Sequence, residues 1–303
     1  RTRLREVALE QYVKLFWDNP FLDRNRTGES LSSFFIGRDF SNGTHIEGWK
    51  SPLSSLYRQY HHSSEKEQGM SFFDYTSRDL NPELVNKARK LNDEVRLREC
   101  TLEQYVKLFW DNPLPDKNDA DKSLASFIYS RDFSNGAYLG REQSPLFLIY
   151  QKYYRGRERE QGISLFGYIS QGLDPELVEG ARKLDDGTRL REVVVEQYVK
   201  LFWNDPLPDG RRISKTLSSF LCSRDFSTGV CLGGKQSLLY SVHEKYRHTS
   251  VKKQGISLFV YMTKGLDSKL VEKARKLDSG ERLEKYLAEQ LEKNALEYVT
   301  TYK

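Results

Sequence analysis

Cysteine and histidine are scarce in this sequence, and neither is arranged for chemistry. Three cysteines and five histidines occur in 303 residues, and an odd number of thiols excludes a framework of paired disulfides. Cys222 and Cys231 are near enough in sequence to meet across a loop, but we interpret all three cysteines as small buried or half-buried thiols. His61-His62 lacks the spacing and the companion ligands of a metal site. We therefore expect neither a metal nor a cofactor.

Long apolar runs and catalytic signatures are missing as well. No segment approaches the roughly 18 to 20 apolar residues that span a bilayer, and Arg1 opens directly onto patterned sequence without a signal-peptide pattern. No glycine-rich phosphate loop, nucleophile elbow or zinc-protease motif occurs. We expect no membrane partner and no enzyme activity.

The chain instead contains three copies of one sequence unit. The segment EQYVKLFWDNP runs from Glu10 to Pro20 and again from Glu103 to Pro113, and it returns over 196–206 with Asp and Asn exchanged. The interval is 93 residues, and it also relates tryptophans, glycines and phenylalanines elsewhere in the unit: Trp17, Trp110, Trp203; Gly69, Gly162, Gly255; Phe40, Phe133, Phe226. A fixed interval of this size indicates a tandem array. The predicted domains are three repeats, 1–96, 97–189 and 190–281, followed by a C-terminal helix, 282–303, that starts a truncated fourth copy.

Apolar residues in each repeat are spaced by three and four positions, which predicts helices. In the first repeat we expect five of them, running over Leu4 to Trp17 and Leu31 to Phe40 and then beginning at Ser51-Pro52, after Gly69 and at Asn81-Pro82. Gly43 is expected to cap the second helix in the left-handed conformation. The fold class is therefore all-α: a tandem array of three five-helix bundles forming an elongated rod, plus a C-terminal helix.

The junction between repeats is short. Only residues 92–95 separate the fifth helix of the first repeat from the next repeat, and they contain no proline. A connection of this kind predicts a fixed angle between neighbours, whereas a Gly/Ser linker would leave them independent.

Two repeated features are open to a structural or a functional interpretation. Tyr12, Leu15, Phe16 and Trp17 are too many large side chains for one apolar face, so we expect two buried faces in preference to an aromatic cage for a ligand. The repeated Arg38-Asp39-Phe40 has the residue types of a catalytic pair. We interpret it as structural, with Arg38 near a helix C-terminus reaching a carboxylate or free carbonyls.

Charge argues against nucleic acid as a partner. The 48 basic and 43 acidic residues are interspersed and leave a net charge of +5 without a block of five or more like charges. A nucleic-acid surface would need cations at corresponding places in every repeat, and an Arg-rich loop occurs only around Arg155-Gly156-Arg157.

The segment from Ser144 to Leu184, SPLFLIYQKYYRGREREQGISLFGYISQGLDPELVEGARKL, has a familiar order of features. Ser-Pro opens a helix with an inward Tyr, a charged loop follows, and Leu and Ala line a closing helix. This order resembles the Y-type half of the WY fold found in effectors of plant-pathogenic oomycetes. The aromatic-rich first half, ending at Trp110, resembles the W-type half of the same fold. Rigidly joined repeats of this size are similar to the LWY arrays of that RXLR-type effector family.

The resemblance implies a secreted virulence effector that acts inside the host plant cell, binds host proteins and suppresses immunity. Some LWY arrays recruit a host serine/threonine phosphatase, so a phosphatase subunit is one implied partner, although no residue here carries that role over. Secretion rests on the resemblance alone, because segments such as Thr2-Arg3-Leu4-Arg5 lack the first arginine of an Arg-x-Leu-Arg translocation motif. We expect a monomer. The alternative is an intracellular helical-repeat scaffold for protein–protein interaction that is unrelated to virulence.

Function is expected where the copies differ, because repeated positions are already explained by folding. The variable segments are loop-like. In the second repeat they carry Tyr138, Arg141, Tyr154 and Arg155, which are residue types enriched in binding hot spots. These four residues are the predicted partner-binding surface.

Overall fold

The chain is all-α in this computed structural model, which describes residues 2–18, 20, 30–46, 51–116, 122–140, 142–209, 215–232 and 237–301, with side chains up to 295. Within those ranges there are nineteen helices and no strand. Two compact units are formed: a first unit of Arg1–Leu108 with Leu124–Arg182, and a second unit of Phe109–Ser123 with Lys183–Lys303. The predicted repeat boundaries remain a description of the sequence.

The helices follow one another at corresponding positions of the three repeats. The first six are α1 (Thr2–Phe16), α2 (Leu31–Gly37), α3 (Ser54–His61), α4 (Ser64–Glu67), α5 (Phe72–Ser77) and α6 (Pro82–Asn92). The next six are α7 (Val95–Phe109), α8 (Leu124–Ser130), α9 (Phe147–Arg155), α10 (Arg157–Glu160), α11 (Leu165–Ser170) and α12 (Pro175–Asp185). The last seven are α13 (Thr188–Phe202), α14 (Leu217–Ser223), α15 (Tyr240–His248), α16 (Ser250–Lys253), α17 (Leu258–Thr263), α18 (Ser268–Asp278) and α19 (Glu281–Thr301).

Each charged loop contains a short helix that the sequence pattern did not predict. In the first repeat this is α4, where the Ser63 hydroxyl accepts a hydrogen bond from the Lys66 N–H at 3.4 Å. Glu65 and Glu67 lie in its first turn, where the helix dipole favours negative charge. Six helices therefore occupy the stretch for which five were expected, because local capping orders a segment without apolar periodicity.

The second helix was predicted to reach Phe40, but α2 ends at Gly37. Arg38 is extended and forms an isolated antiparallel bridge with His45. Its guanidinium Nη1 donates to the carbonyl of Gly43 at 3.1 Å, and Gly43 has a φ of 74°. Gly43 therefore shapes this short loop and does not cap α2.

The same loop recurs, and the structural interpretation of the Arg-Asp-Phe segment is confirmed. Arg131 and Arg224 are fully buried, and they donate to the carbonyls of Gly136 at 2.9 Å and Gly229 at 2.8 Å. Arg224 also pairs with Asp209. Each arginine satisfies a carbonyl that the turn would otherwise leave buried without a partner.

The short junctions are confirmed as well. Two residues separate α6 from α7, α12 from α13, and α18 from α19. The second residue of each pair has a positive φ: 58° at Glu94, 73° at Gly187 and 88° at Gly280. A left-handed residue turns the chain sharply between two helices without a flexible linker.

The core of the first unit contains the repeated aromatic residues of α1. The Phe34 ring lies 5.5 Å from Tyr12 and 5.9 Å from Phe16, which are distances of favourable aromatic contact. Other buried residues of the same cluster are Ala8, Leu9, Leu31, Phe35, Leu53, Leu56, Tyr60, Phe72, Phe73, Ala88 and Leu91. The predicted burial of Tyr12 and Phe16 is confirmed, whereas Trp17 is only half-buried at the edge of the cluster.

The second unit has its own core around the corresponding helix α13. Tyr198 and Phe202 again surround a phenylalanine, Phe220, at 5.8 Å each. Buried aliphatic residues of α13, α14, α15, α17 and α18 complete the cluster: Val194, Val195, Leu217, Leu221, Val242, Met262, Ala274 and Leu277. The same sequence segment therefore builds a core in each unit.

Candidate partner-binding surface

The repeated tyrosine of each third helix is structural. The hydroxyl groups of Tyr60, Tyr153 and Tyr246 donate at 2.6, 2.8 and 2.7 Å to backbone carbonyls, those of Met70, Ile163 and Ile256 respectively. A tyrosine whose hydroxyl is held in this way fixes the loop between two helices. These repeated residues have a structural role, so the residues that differ between repeats are the candidates for binding.

The second repeat differs from the other two in a cluster of aromatic side chains, which we call the aromatic ladder. It consists of Tyr129 on α8 and Phe147, Tyr150 and Tyr154 on α9. The three α9 residues follow a spacing of three and four, so they share one face of the helix. Packing of α8 beside this face adds the fourth ring.

The rings of the ladder are in direct contact. Tyr150 is stacked on Tyr154, with centroids 6.0 Å apart and an interplanar angle of 22°, and on Phe147 at 6.2 Å and 16°. Tyr129 meets Phe147 and Tyr150 edge-on at 5.3 and 5.2 Å. Offset-stacked and edge-on geometries are those that aromatic pairs prefer, so the ladder is a preorganised surface.

Polar contacts close the two ends of the ladder. The guanidinium of Arg159, on α10, lies 3.7 Å from the centre of the Tyr154 ring, a favourable cation–π distance. At the other end the Tyr129 hydroxyl donates to Glu142 Oε1 at 3.1 Å. Tyr154 is the most exposed of the four aromatic residues, with 52% of its surface accessible to solvent.

The border of the ladder is basic. From residue 152 to residue 160 there are four cations, Lys152, Arg155, Arg157 and Arg159, against Glu158 and Glu160. Lys152 forms an ion pair with Glu94. The three arginines then exceed the two glutamates by one positive charge beside the exposed Tyr154 ring, which suits a partner that presents carboxylates.

The four predicted site residues are distributed as follows. Tyr154 is part of the ladder, and Arg155 is exposed beside it at the end of α9. Tyr138 is 45% exposed, but it lies in the loop bridged to Arg131 and is not one of the stacked rings. Arg141 lies outside the described residues. Their role in binding stays a prediction.

Sequence reasoning missed Tyr129, Phe147, Tyr150 and Arg159 as members of one surface. The predicted surface was confined to variable loops, whereas three of these four residues lie on α8 and α9. A signal was available at the sister positions, which hold Ile36 and Cys222, Ser54 and Tyr240, and Tyr57 and His243. Only the second repeat has an aromatic ring at all three.

A cavity of ≈ 170 Å³ in the second unit is lined in part by Asp186, Arg191 and Tyr261. Its polar groups hold the turn between α12 and α13. The Asp186 carboxylate accepts from the Thr188 N–H at 2.7 Å, and Arg191 donates to the Asp186 carbonyl and to the Thr188 hydroxyl. We interpret this cavity as part of the junction.

Among the residues that the structure describes, no group of three or more His, Cys, Asp and Glu side chains is placed to hold a metal ion. None of the described helices is long and apolar enough to cross a membrane. No protein-family model matches the chain, and neither the curated proteins nor the solved structures contain a significant match to it.

Proposed function

We propose that this chain is a non-enzymatic binding protein, a secreted oomycete effector of the LWY type that binds host proteins inside plant cells and suppresses immunity. The resemblance over Ser144–Leu184 supports this origin. The all-α fold is compatible with it. The proposed architecture is a rod of three bundles, one per sequence repeat, with the C-terminal helix following.

The aromatic ladder is the observation that carries the binding function. Tyr154 is 52% exposed and the other three rings are half-buried, and tyrosine and arginine dominate binding hot spots. The ladder brings tyrosines of α8 and α9 together with Arg159 of α10, which lies over the Tyr154 ring, and it occurs in one repeat of three. We propose that the ladder, with Arg155 beside it, contacts an acidic surface of the partner.

A pull-down from plant extract tests the proposal with the double variant Tyr150→His/Tyr154→Arg. These substitutions place on α9 the residues that the third repeat has at His243 and Arg247, so the fold is expected to tolerate them. The reverse exchange in the third repeat, His243→Tyr/Arg247→Tyr, is the matched control. We expect the first variant to lose the captured protein and the control to retain it.

If both variants capture the partner as the unaltered chain does, the ladder is not the contact surface. Loss of capture by both would instead indicate a general effect on the fold, which circular dichroism would reveal. A host serine/threonine phosphatase subunit is one candidate among the captured proteins, and immunoblotting for it decides that point.

The alternative function is an intracellular scaffold that organises partners by the same surface and has no part in virulence. Expression of the chain in leaves distinguishes the two. An effector lowers the immune response to a microbial elicitor, and the Tyr150→His/Tyr154→Arg variant does so less. A scaffold unrelated to virulence leaves that response unchanged.

A further inference from the structure

Helix α19 occupies the repeat position of α1, α7 and α13, but its core face is exposed. Leu287 corresponds to Ala8, Thr101 and Val194, which are all fully buried. Leu291 corresponds to Tyr12, Tyr105 and Tyr198, which are fully buried as well. Nevertheless Leu287 is 46% exposed and Leu291 is 70% exposed.

The opposite side of α19 is held in place. The guanidinium of Arg282 lies 5.3 Å from the Trp203 ring, and its Nε donates to the Trp203 carbonyl at 2.9 Å. The same side chain pairs with Glu289 at 3.1 Å. The helix is therefore positioned by the second unit, and its largely apolar face, which carries Leu287, Leu291 and, towards the N-terminal end, the exposed Glu284, is presented to solvent.

The exposed face differs from the buried faces of its sister helices in a way that suits helix pairing. Small residues, Ala288 and Ala295, flank Leu291, and Ala295 stands where the sister helices have phenylalanine. Small side chains let two helices approach closely, whereas large rings fill the interior of a bundle. The helix is also longer, with 21 residues against 15 in α1.

We propose that this face binds α19 of a second copy of the chain, with the two helices antiparallel. The positions of two charged residues beside the apolar face favour a second copy as the partner and an antiparallel arrangement of the two helices. Lys285 and Glu292 are both exposed and lie two turns apart on the same flank of the apolar face. In an antiparallel pair with two-fold symmetry the same flank of each helix meets the other.

In that arrangement Lys285 of each copy faces Glu292 of the partner subunit, and Leu287 faces Leu291 of the partner subunit. A parallel pair would bring this flank against the other flank of α19, which carries the partly buried Leu283, Tyr286 and Gln290. The proposal is independent of the aromatic ladder, and it replaces the monomer expected from the sequence with a symmetric dimer.

Sedimentation equilibrium on the intact chain tests the proposal. We expect a concentration-dependent species of twice the 35.4 kDa chain mass. Leu291→Lys should weaken the dimer by about tenfold or more, because it places an unpaired charge at the centre of the seam. Lys285→Glu and Glu292→Lys should each weaken it, since each sets like charges opposite one another in both symmetric contacts.

The combined variant Lys285→Glu/Glu292→Lys should restore association, because the pairs are re-formed with exchanged signs. Lys293→Glu makes the same charge change on the side facing away from Leu291 and should leave the dimer unaltered. Circular dichroism should show equal helix content in all of these variants.

A chain that stays monomeric at every concentration overturns the proposal. So does a dimer that is insensitive to Leu291→Lys, or a double variant that fails to restore association. If the monomeric chain captures another protein and Leu291→Lys loses it, the face belongs to a different partner, and the self-pairing is likewise overturned.

Discussion

The guanidinium of Arg96 lies over the indole of Trp17, 5.0 Å from the ring centroid, and its Nε donates to the Trp17 carbonyl at 3.1 Å. Trp17 directly follows the last turn of α1, where helix carbonyls lack partners and positive charge is favourable. Arg189 repeats the contact on Trp110, and Arg282 repeats it on Trp203. The tryptophan therefore binds an arginine in the first turn of the helix that follows the junction, in addition to closing one edge of the core.

Arg96→Ala is expected to lower the melting temperature of the chain, with a cost of about 1 to 3 kcal/mol from the lost cation–π contact and hydrogen bond. Arg3→Ala is the matched control. Arg3 occupies the same repeat position and makes the same type of ion pair, to Glu6 at 2.8 Å, but it is 75% exposed. Equal melting temperatures for the two variants would show that the arginine–tryptophan contact contributes nothing to stability.

Phe202→Ala should destabilise the second unit more than Trp203→Ala does. Phe202 is 4% exposed inside the core, and truncating a buried phenylalanine costs about 3 to 5 kcal/mol. Trp203 is half-buried and covered by Arg282, so its loss opens no enclosed cavity. Urea denaturation of both variants gives the comparison, and a larger loss at Trp203 would contradict this assignment.

Gly229→Ala should destabilise the chain more than Gly255→Ala does. Both glycines have a positive φ, 72° and 78°, so an alanine is strained at either position. At Gly229 the added Cβ would also lie 3.0 Å from the ring of Phe202, whereas at Gly255 it meets no atom within 4 Å. Thermal melting measures the difference in stability. Equal effects would show that the Phe202 ring shifts to accommodate the added methyl group without further cost.

Stability is expected to depend on the ionisation of Asp225. Hydrogen bonds from Ser227 and Thr228 lower the pKa of this carboxyl to about 2. A depressed pKa contributes stability that is complete above the unfolded value of about 3.9 and is lost as the pH falls towards 2. Asp225→Asn should therefore destabilise the chain at pH 6 and flatten the acid limb of its stability curve. Parallel curves for the two proteins would contradict the prediction.

Cys100 should resist alkylation in the folded chain. Burial raises the pKa of its thiol to about 11, and the thiolate is the reactive form. Cys231 is half-exposed and unpaired with another cysteine, so it should react first with iodoacetamide at pH 8. Mass spectrometry of the labelled chain locates the modified residue, and early labelling of Cys100 would show that its site opens readily.

Much of the fold could be predicted because its causes are local. The spacing of apolar residues in α1, the proline and asparagine that begin α6, and the absence of proline before α7 act over a few residues each. The bridge from Arg38 to His45 was not predicted, because a single extended residue leaves no periodic pattern. The four-residue helices were missed for the same reason.

The sequence by itself determined the 93-residue interval, the existence of the longer helices and the buried positions of Tyr12 and Phe16, since these follow from periodicity and capping within short segments. Tertiary structure alone decided what Trp17 contacts, which rings join Tyr150, and that Leu291 faces solvent. Arg96 is 79 residues from Trp17, and Tyr129 reaches Tyr150 only because α8 packs beside α9. Such contacts depend on the relative placement of whole helices, which no local pattern encodes.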